Sequence, residues 1–121
     1  MTSPGERGAK AEKAAQQHLQ QQGLQHLENN YRCRTGEIDL IMQDGKTLVF
    51  VEVRYRKSTR FGSPAESVTA TKQQRIISTA NHYLQSRQGK KLPPCRFDMV
   101  AIAGKELQNI QWIKDAFQTH A

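Results

Sequence analysis

The sequence is poor in the residues that build disulfide frameworks, zinc sites and membrane spans. Only two of its 121 residues are cysteines, Cys33 and Cys95, and no CxxC pair is present, which argues against both a disulfide framework and a zinc site. We therefore expect two buried free thiols. No apolar run approaches the roughly 18 to 20 residues of a spanning helix, and the N-terminal segment lacks the basic-then-apolar order of a secretory signal. These absences predict a cytoplasmic protein that does not enter membranes.

Several catalytic motifs are also absent. The sequence contains no P-loop, no GxGxxG segment and no grouping of Ser, His and Asp typical of a nucleophilic triad. The four histidines are scattered along the chain, so a histidine-based metal site is not indicated. There is no internal repeat, and the length suits one domain with one hydrophobic core. We expect residues 1–121 to form a single domain.

Acidic residues are outnumbered by basic ones. The chain has 18 Lys and Arg against 11 Asp and Glu, a formal net charge of +7, and its isoelectric point is near 9.7. Such a balance favours a polyanionic partner, either nucleic acid or an anionic membrane surface. Because no membrane-directed segment is present, we expect the partner to be nucleic acid.

Three of the few acids lie in two apolar segments. The segments 36–41 and 50–54 are rich in Ile, Leu and Val, which predicts two β-strands. Asp44-Gly45 between them is typical of a tight hairpin turn. Acids inside two strands that are otherwise apolar need a physical explanation.

The expected register gathers these acids on one face. A two-residue turn at Asp44 and Gly45 would set Asp39 opposite Phe50 and Glu37 opposite Glu52. Because side chains alternate along a strand, one face then carries both pairs of polar positions, Glu37 and Asp39 with Glu52 and Arg54. The other face is predicted to be apolar and consists of Ile38, Leu40, Val49, Val51 and Val53.

Three carboxylates on one face need a counter-charge. Like charges opposed across a sheet are destabilising, and partly buried carboxylates repel or take up a proton unless a cation neutralises them. In this register Asp39 and Glu52 are diagonal neighbours, about 7 to 8 Å apart at the backbone, close enough to bind one ion between them. Mg²⁺ suits such a pair. The alternative is a solvated strand face on which Arg54 forms a salt bridge with the acids.

A helix is predicted from Gly5 to Gln22, with Gly23 placed to end it. Its expected inward stripe consists of Gly8, Glu12, Ala15 and Leu19. A glutamate on a face of small residues is either a functional side chain or an edge residue whose carboxylate reaches solvent. Its position leaves both possibilities open.

The next segments are less regular. Residues 24–33 show no clear period, and we expect a bend at Glu28-Asn29-Asn30 before a short strand from Tyr31 to Arg34. Residues 55–68 are predicted to form a loop that contains Arg56, Lys57, Arg60, Phe61, Gly62 and Pro64. Such a loop could follow phosphates and stack a base, or it could be a solubilising surface loop.

The second half of the chain predicts a helix, two strands and a terminal helix. Ser63 and Thr69 are both candidate helix caps, and we favour Thr69, which places Lys72 and Gln73 in the first turn, facing the acids. Strands are predicted at 95–103 and 107–113, followed by a short helix over 114–118. Asp98 is expected to be structural and tied to the N-terminal helix.

This combination of elements and motifs resembles the YraN family of small bacterial proteins. The resemblance covers nearly the whole chain and rests on Glu12, Gly36-Glu37-Ile38-Asp39, Phe50-Val51-Glu52-Val53-Arg54, Phe61-Gly62, Lys72 and Arg96-Phe97-Asp98. It implies an α/β (α+β) fold of the restriction-endonuclease-like superfamily, similar to archaeal Holliday junction resolvases. The implied fold has a central mixed sheet flanked by helices, in the order α-β-β-β-α-β-β-α.

The resemblance also implies a metal site that contains Mg²⁺ or Mn²⁺. By this resemblance Asp39 and Glu52, with the Val53 carbonyl, match the superfamily's ligands, and Glu12 matches an additional acid from the first helix. Arg54 stands where the superfamily usually has a lysine, and Ile38 precedes Asp39 where a proline is usual. Because arginine is always protonated, Arg54 cannot be a general base, but it could orient water or stabilise the transition state.

The implied activity is that of a metal-dependent endonuclease that hydrolyses phosphodiester bonds, on branched or structured DNA, within a single nuclease-like domain. The catalytic residues would be Asp39, Glu52, Arg54 and Glu12. Nucleic acid would be bound by Arg54, Arg56, Lys57, Arg60, Phe61, Lys72 and Gln73. The resemblance also suggests a homodimer. The alternatives are a non-catalytic nucleic-acid-binding module with the same fold and an enzyme acting on a small phosphate ester in an enclosed pocket.

Overall fold

The structure is a computed structural model that describes residues 4–56, 68–87 and 92–118, with side chains from residue 8 onward. Within these ranges two helices and five strands follow one another. They are α1 (Pro4–Gln21), β1 (Gln25–Cys33), β2 (Gly36–Asp44), β3 (Thr47–Arg56), α2 (Ala70–Gln85), β4 (Cys95–Ala103) and β5 (Asn109–Phe117). No helix in these ranges is long and apolar enough to cross a membrane.

The five strands form one mixed sheet in which spatial order equals chain order, β1-β2-β3-β4-β5. Neighbouring strands are antiparallel except β3 and β4, which are parallel. A parallel pair needs a crossover connection, and α2 lies in that connection. The predicted mixed sheet flanked by helices is therefore confirmed, with the order α-β-β-β-α-β-β.

Each face of the sheet is covered by one helix. On the first face the small residues Ala11 and Ala15, with Leu19 of α1, pack on a cluster formed by Leu40, Met42, Val49, Val51, Val100 and Ile102. On the second face Ile76 and Ala80 of α2 pack on a cluster that includes Ile38, Ile41, Phe50, Phe97 and Met99. Each such large apolar side chain contributes about 1.5 to 3 kcal/mol when fully buried. The two helices thus enclose the hairpin that carries the acids.

The hairpin between β2 and β3 differs in register from the prediction. Asp44 pairs with Thr47, and Leu40 pairs with Val51, so the turn residues are Gly45 and Lys46. Gly45 has a φ of 61°, which glycine adopts without steric cost. The expected pairing is wrong by two residues. Because two is an even shift, the paired residues 40–44 and 47–51 keep their faces.

This register brings the two candidate ligands closer than expected. Leu40 and Val51 form the last pair of β2 with β3, and Asp39 and Glu52 are the next residues on the two strands. The acids therefore face each other across the end of the pairing and are not diagonal neighbours. The predicted apolar face is also wrong at Ile38, which packs on the α2 side while Leu40 packs on the α1 side, so side-chain alternation is interrupted at Asp39.

The predicted bend at Glu28-Asn29-Asn30 is wrong, because β1 continues through it. The register with β2 shifts between His26 and Glu28, which makes a bulge at Leu27. Asn30 has a φ of 51°, a conformation that asparagine tolerates better than most residues. Local irregularities inside one strand therefore hid its period.

The predicted helix over 114–118 is wrong, because β5 runs to Phe117. The ring of Phe117 stacks on Phe97 of β4 with 4.9 Å between centroids. The register with β4 shifts between Phe97 and Met99, and Asp115 has a φ of 53° in the bulged segment. Because of this bulge, the apolar residues at the end of β5 do not alternate as in a regular strand, and their spacing resembles that of a helix.

The structure also tests the predicted loop after β3, the cap of α2 and the burial of the cysteines. Tyr55 and Arg56 belong to β3 and not to a loop, whereas 57–67 lie outside the described residues. Thr69 is confirmed as the cap of α2, since its side chain accepts a hydrogen bond from Lys72 N at 3.2 Å. Both cysteines are free thiols, but their predicted burial is wrong: Cys33 is half-buried and Cys95 is exposed.

Candidate functional site

The carboxyl groups of Asp39 and Glu52 meet where β2 leaves β3. Asp39 Oδ2 accepts a hydrogen bond from Val53 N at 2.8 Å, so the side chain bonds a backbone donor just beyond the last paired residues. The Asp39 side chain lies close enough to Glu52 to affect the pKa of that carboxyl. Burial and then the charge of Glu52 raise the pKa of Asp39 to about 8, against the opposing effect of the Val53 N–H. The pair therefore retains a proton at neutral pH in the absence of another cation.

Two cations converge on Glu52. Its side chain lies on the α2 side of β3 and is 8% exposed, and burial raises its pKa while the charge of Arg54 opposes the rise. Oε1 of Glu52 lies 3.4 Å from Arg54 Nη2 and 3.3 Å from Lys72 Nζ. Arg54 Nε is buried and has no hydrogen-bond partner among the described residues. The structure thus brings together four predicted site residues, Asp39, Glu52, Arg54 and Lys72.

Glu12 joins the site indirectly, through Asn30. In the amide orientation that satisfies its surroundings, the Asn30 side chain donates to Glu37 Oε1 at 2.8 Å and to Glu12 Oε1 at 3.1 Å. Asn30 of β1 lies opposite Asp39 of β2, between the residue pairs Asn29–Leu40 and Tyr31–Ile38. Burial raises the pKa of Glu12, the Asn30 hydrogen bond lowers it, and the charges of Glu37 and Glu52 raise it further. Glu12 therefore feels the charge of the acid pair and is linked by a hydrogen bond to Glu37.

An open cleft of about 500 Å³ contains the acid pair. Its acidic wall is formed by the β2 and β3 residues Glu37, Asp39 and Glu52. Its other wall is the first two turns of α2, which contribute Thr69, Thr71, Lys72, Arg75 and Ile76. Arg75 is not among the site residues predicted from the sequence. Helical spacing could have found it, since residues three apart lie on one helix face and Arg75 follows Lys72 by three.

The remaining predicted nucleic-acid contacts are divided. Gln73 Nε2 donates to the Val68 carbonyl at 3.1 Å, so this side chain is engaged at the start of α2. Arg56 is exposed at the end of β3. Lys57, Arg60 and Phe61 lie outside the described residues.

The acids do not form a ready-made multi-ligand metal centre. Within 4–56, 68–87 and 92–118, no group of three or more His, Cys, Asp or Glu side chains is arranged to hold a metal ion. A divalent ion here would depend on the two carboxylates of Asp39 and Glu52, on backbone oxygen and on water, a ligand set that Mg²⁺ accepts. The Val53 N–H donates to Asp39. The Val53 carbonyl oxygen stays a predicted metal ligand.

Comparison with known proteins identifies the family. The model described as "Uncharacterised protein family UPF0102" matches residues 11–102. A UPF0102 protein of Nitrosomonas europaea is 56% identical over 117 residues, covering 97% of this chain and 98% of its own. Those of Saccharophagus degradans and Nitrosococcus oceani are 52% and 49% identical over 117 residues, covering 97% and 96% of this chain and 97% and 94% of their own. The resemblance to the YraN family is thus confirmed, and the chain belongs to the UPF0102 (YraN) family.

Proposed function

We propose that the protein binds nucleic acid and is a metal-dependent endonuclease that hydrolyses phosphodiester bonds in branched or structured DNA. The observation that carries this proposal is the buried pair of Asp39 and Glu52, which opens on a cleft and is flanked by Arg54 and Lys72. Acids next to cations in one cleft suit a phosphodiester, which needs both metal ligands and charge neutralisation. The net charge of +7 favours a polyanionic substrate.

A divalent cation fits the acid pair. Burial and then repulsion by Glu52 raise the pKa of Asp39 to about 8. A proton retained by the two neighbouring carboxyls can be exchanged for a cation, which would offset both effects. Mg²⁺ and Mn²⁺ both accept carboxylate oxygen, and Mg²⁺ needs only one or two carboxylates with water. Arg54 Nε, buried without a partner among the described residues, is a donor available to a ligand oxygen.

Each residue has a proposed role. Asp39, Glu52 and the Val53 carbonyl would hold Mg²⁺ or Mn²⁺, with Glu12 as a further acid linked through Asn30. The ion, when bound, supplies a hydroxide nucleophile and neutralises charge on the phosphate. Arg54 and Lys72 hold the scissile phosphate. Since Arg54 is always protonated, it stabilises negative charge and does not accept a proton.

Selection of the substrate is proposed to depend on shape. No described element has the layout of a recognition helix or another base-reading motif, whereas phosphate contacts are independent of sequence. Lys57, Arg60 and Phe61 are proposed to contact the strand beside Arg56. A cytoplasmic location and a homodimer stay predictions.

The proposal is tested by a cleavage panel of four-way junction, flap, duplex and single-stranded DNA, and RNA, each with Mg²⁺ or Mn²⁺. Asp39→Asn and Glu52→Gln are purified in parallel with Glu106→Gln, which removes one carboxylate from the exposed turn before β5. We expect cleavage of a branched substrate by the wild type and by Glu106→Gln only. Cleavage that survives both Asp39→Asn and Glu52→Gln would contradict the site.

A second candidate is a nucleic-acid-binding module without catalysis. It is favoured by the two cations that already contact Glu52 Oε1, and by Arg54 in the place where the superfamily usually has a lysine. Binding of DNA that persists in EDTA, without cleavage in any metal, would support this candidate over the endonuclease.

A further inference from the structure

Arg75 is a cation of the cleft whose charge forms no ion pair with a described residue. Lys72 and Arg54 both contact Glu52. Arg75 is exposed and lines the same cleft, and no carboxylate in 4–56, 68–87 or 92–118 forms an ion pair with it. Its guanidinium is therefore available to an external anion without first breaking an ion pair to a described residue.

The base of the Arg75 side chain is held in place by the turn between β1 and β2. Thr79 Oγ1 donates to the Arg75 carbonyl at 2.8 Å and is hydrogen-bonded to Thr35 Oγ1 at 3.0 Å. A Cβ at Gly36 would lie 3.2 Å from Thr79 Oγ1 and 3.7 Å from Arg75 Cβ, so a side chain at this position would crowd Thr79. The backbone of Arg75 is thus fixed before a ligand binds, so that only its side chain has to be ordered on binding.

The spacing of the cations suits two successive charges. Lys72 and Arg75 are three residues apart on α2, so their Cβ atoms are about 5 to 6 Å apart and on one face. No acidic residue lies in the first turn of α2, whereas the opposite wall carries Glu37, whose carboxylate already pairs with Arg32 at 3.4 Å. A chain of phosphodiesters in the cleft would therefore follow the α2 wall.

We propose that Arg75 is a positioning residue that binds the phosphodiester adjacent to the one held by Lys72 and Arg54, and so fixes the register of the nucleic-acid strand in the cleft. This inference rests on the proposed function, because it assigns a second phosphate contact of the same substrate. It adds a residue that the family resemblance did not supply.

The first test measures the salt dependence of binding. Full-length wild type, Arg75→Gln, Arg75→Lys and Arg87→Gln are titrated onto a labelled four-way DNA junction in EDTA at several NaCl concentrations, with anisotropy as the signal. Arg87, just after the end of α2, is a matched control with the same change in net charge. We expect Arg75→Gln to weaken binding about tenfold and to reduce the slope of log K against log salt by about 0.9, the value for one phosphate. Arg75→Lys should keep the slope, and so should Arg87→Gln.

The second test locates the phosphate. Neutral methylphosphonates are placed one at a time along the junction strand that binds the wild type. At one position the methylphosphonate should weaken binding by the wild type and should not weaken binding by Arg75→Gln any further. This position should be next to the one at which a methylphosphonate does not weaken binding by Lys72→Gln any further. Arg75→Met, which keeps an aliphatic side chain against Gly36, replaces the Gln variant if the latter does not fold.

The outcomes separate the two proposals. If the wild type binds DNA but Arg75→Gln keeps the wild-type slope, or if no position is masked, this inference is overturned and the proposed function survives. If the wild type binds none of the nucleic acids in the cleavage panel, the proposed function fails and the phosphate contact fails with it. A lower slope together with one masked position supports this inference and the nucleic-acid-binding part of the proposed function.

Discussion

Asp98 and Asp39 are both carboxylates within the sheet, but only Asp98 receives a full set of donors from the protein. Asp98 is 0% exposed and accepts hydrogen bonds from Arg96, Trp112 and the Asp115 N–H over distances of 2.8 to 3.0 Å. Asp39 accepts one backbone N–H and faces a second carboxyl. Burial therefore does not distinguish the structural acid Asp98 from the candidate functional acid Asp39. The difference is that Asp39 has too few hydrogen-bond donors around it.

The two environments arise from opposite local events in the sheet. At Asp98 the neighbouring strand β5 bulges toward β4 and directs the Asp115 N–H at the carboxylate. At Asp39 the neighbouring strand β3 stops pairing with β2 after Val51, which leaves space beside the acid for the cleft. Four measurements would test this difference between the two acids.

The largest effect is expected from Asp98→Asn. Removing the charge leaves Arg96 without its buried partner and replaces an acceptor of several hydrogen bonds by an amide, so the free energy of unfolding should fall by about 3 to 5 kcal/mol. Urea unfolding at pH 7 measures the loss. Asp44→Asn is the control, because Asp44 also contacts Arg96 but its side chain is 38% exposed, and it should cost less than about 1 kcal/mol. Equal losses would show that burial of Asp98 is not decisive.

A divalent cation should stabilise the protein through Asp39 and not through Asp98. At 100 times its dissociation constant, Mn²⁺ would raise the free energy of unfolding by about 2.7 kcal/mol if it binds only the folded state. Thermal unfolding at pH 8 with and without Mn²⁺ measures this shift. Asp39→Asn should abolish it, whereas Asp44→Asn should retain it. A shift that persists in Asp39→Asn would place the ion elsewhere.

The metal-free protein should lose stability as pH rises. Because the pKa of Asp39 is raised to about 8 in the folded state and is near 4 in an unfolded chain, the folded state binds more protons between these values. The stability that this group contributes is therefore greatest below about pH 4 and falls as pH rises to about 8. Urea midpoints across this range in EDTA should decrease in the wild type, and less so in Asp39→Asn. Identical profiles would refute the raised pKa.

The smallest effect is expected from Lys72→Gln. Lys72 is 36% exposed in its side chain, and Glu52 keeps its contact with Arg54, so the free energy of unfolding should fall by less than about 1 kcal/mol. The matched substitution at the structural site, Arg96→Gln, leaves Asp98 with a buried charge and should cost several times more. Chemical unfolding of both variants compares them directly.

The sequence predicted the site better than it predicted the chain around it. The shared face of Asp39 and Glu52 was correct despite a register error, because only an odd shift exchanges the faces of a strand. Lys72 was found because Thr69 is a clear helix cap that sets the phase of α2. The mixed sheet followed from the family resemblance and from the order of apolar segments.

The errors arise where tertiary contacts override local pattern. The bulge opposite Asp98 makes the end of β5 resemble a helix, and no nearby residue signals it, because the β5 donors to Asp98 are 14 and 17 positions away from it. The bulge at Leu27 and the positive φ of Asn30 likewise obscure β1. Arg75 was missed because an arginine without a local partner resembles any solvated helix residue until the cleft is known.

The hydrogen bond from Val53 N to Asp39 gives the site a built-in spectroscopic reporter. A backbone amide that donates to a carboxylate has a proton resonance that shifts when the carboxylate changes protonation state or ligand, and the amide belongs to β3, between Glu52 and Arg54. A single ¹⁵N-labelled valine position can thus follow proton loss, cation binding and arrival of a phosphate without any probe being added to the cleft.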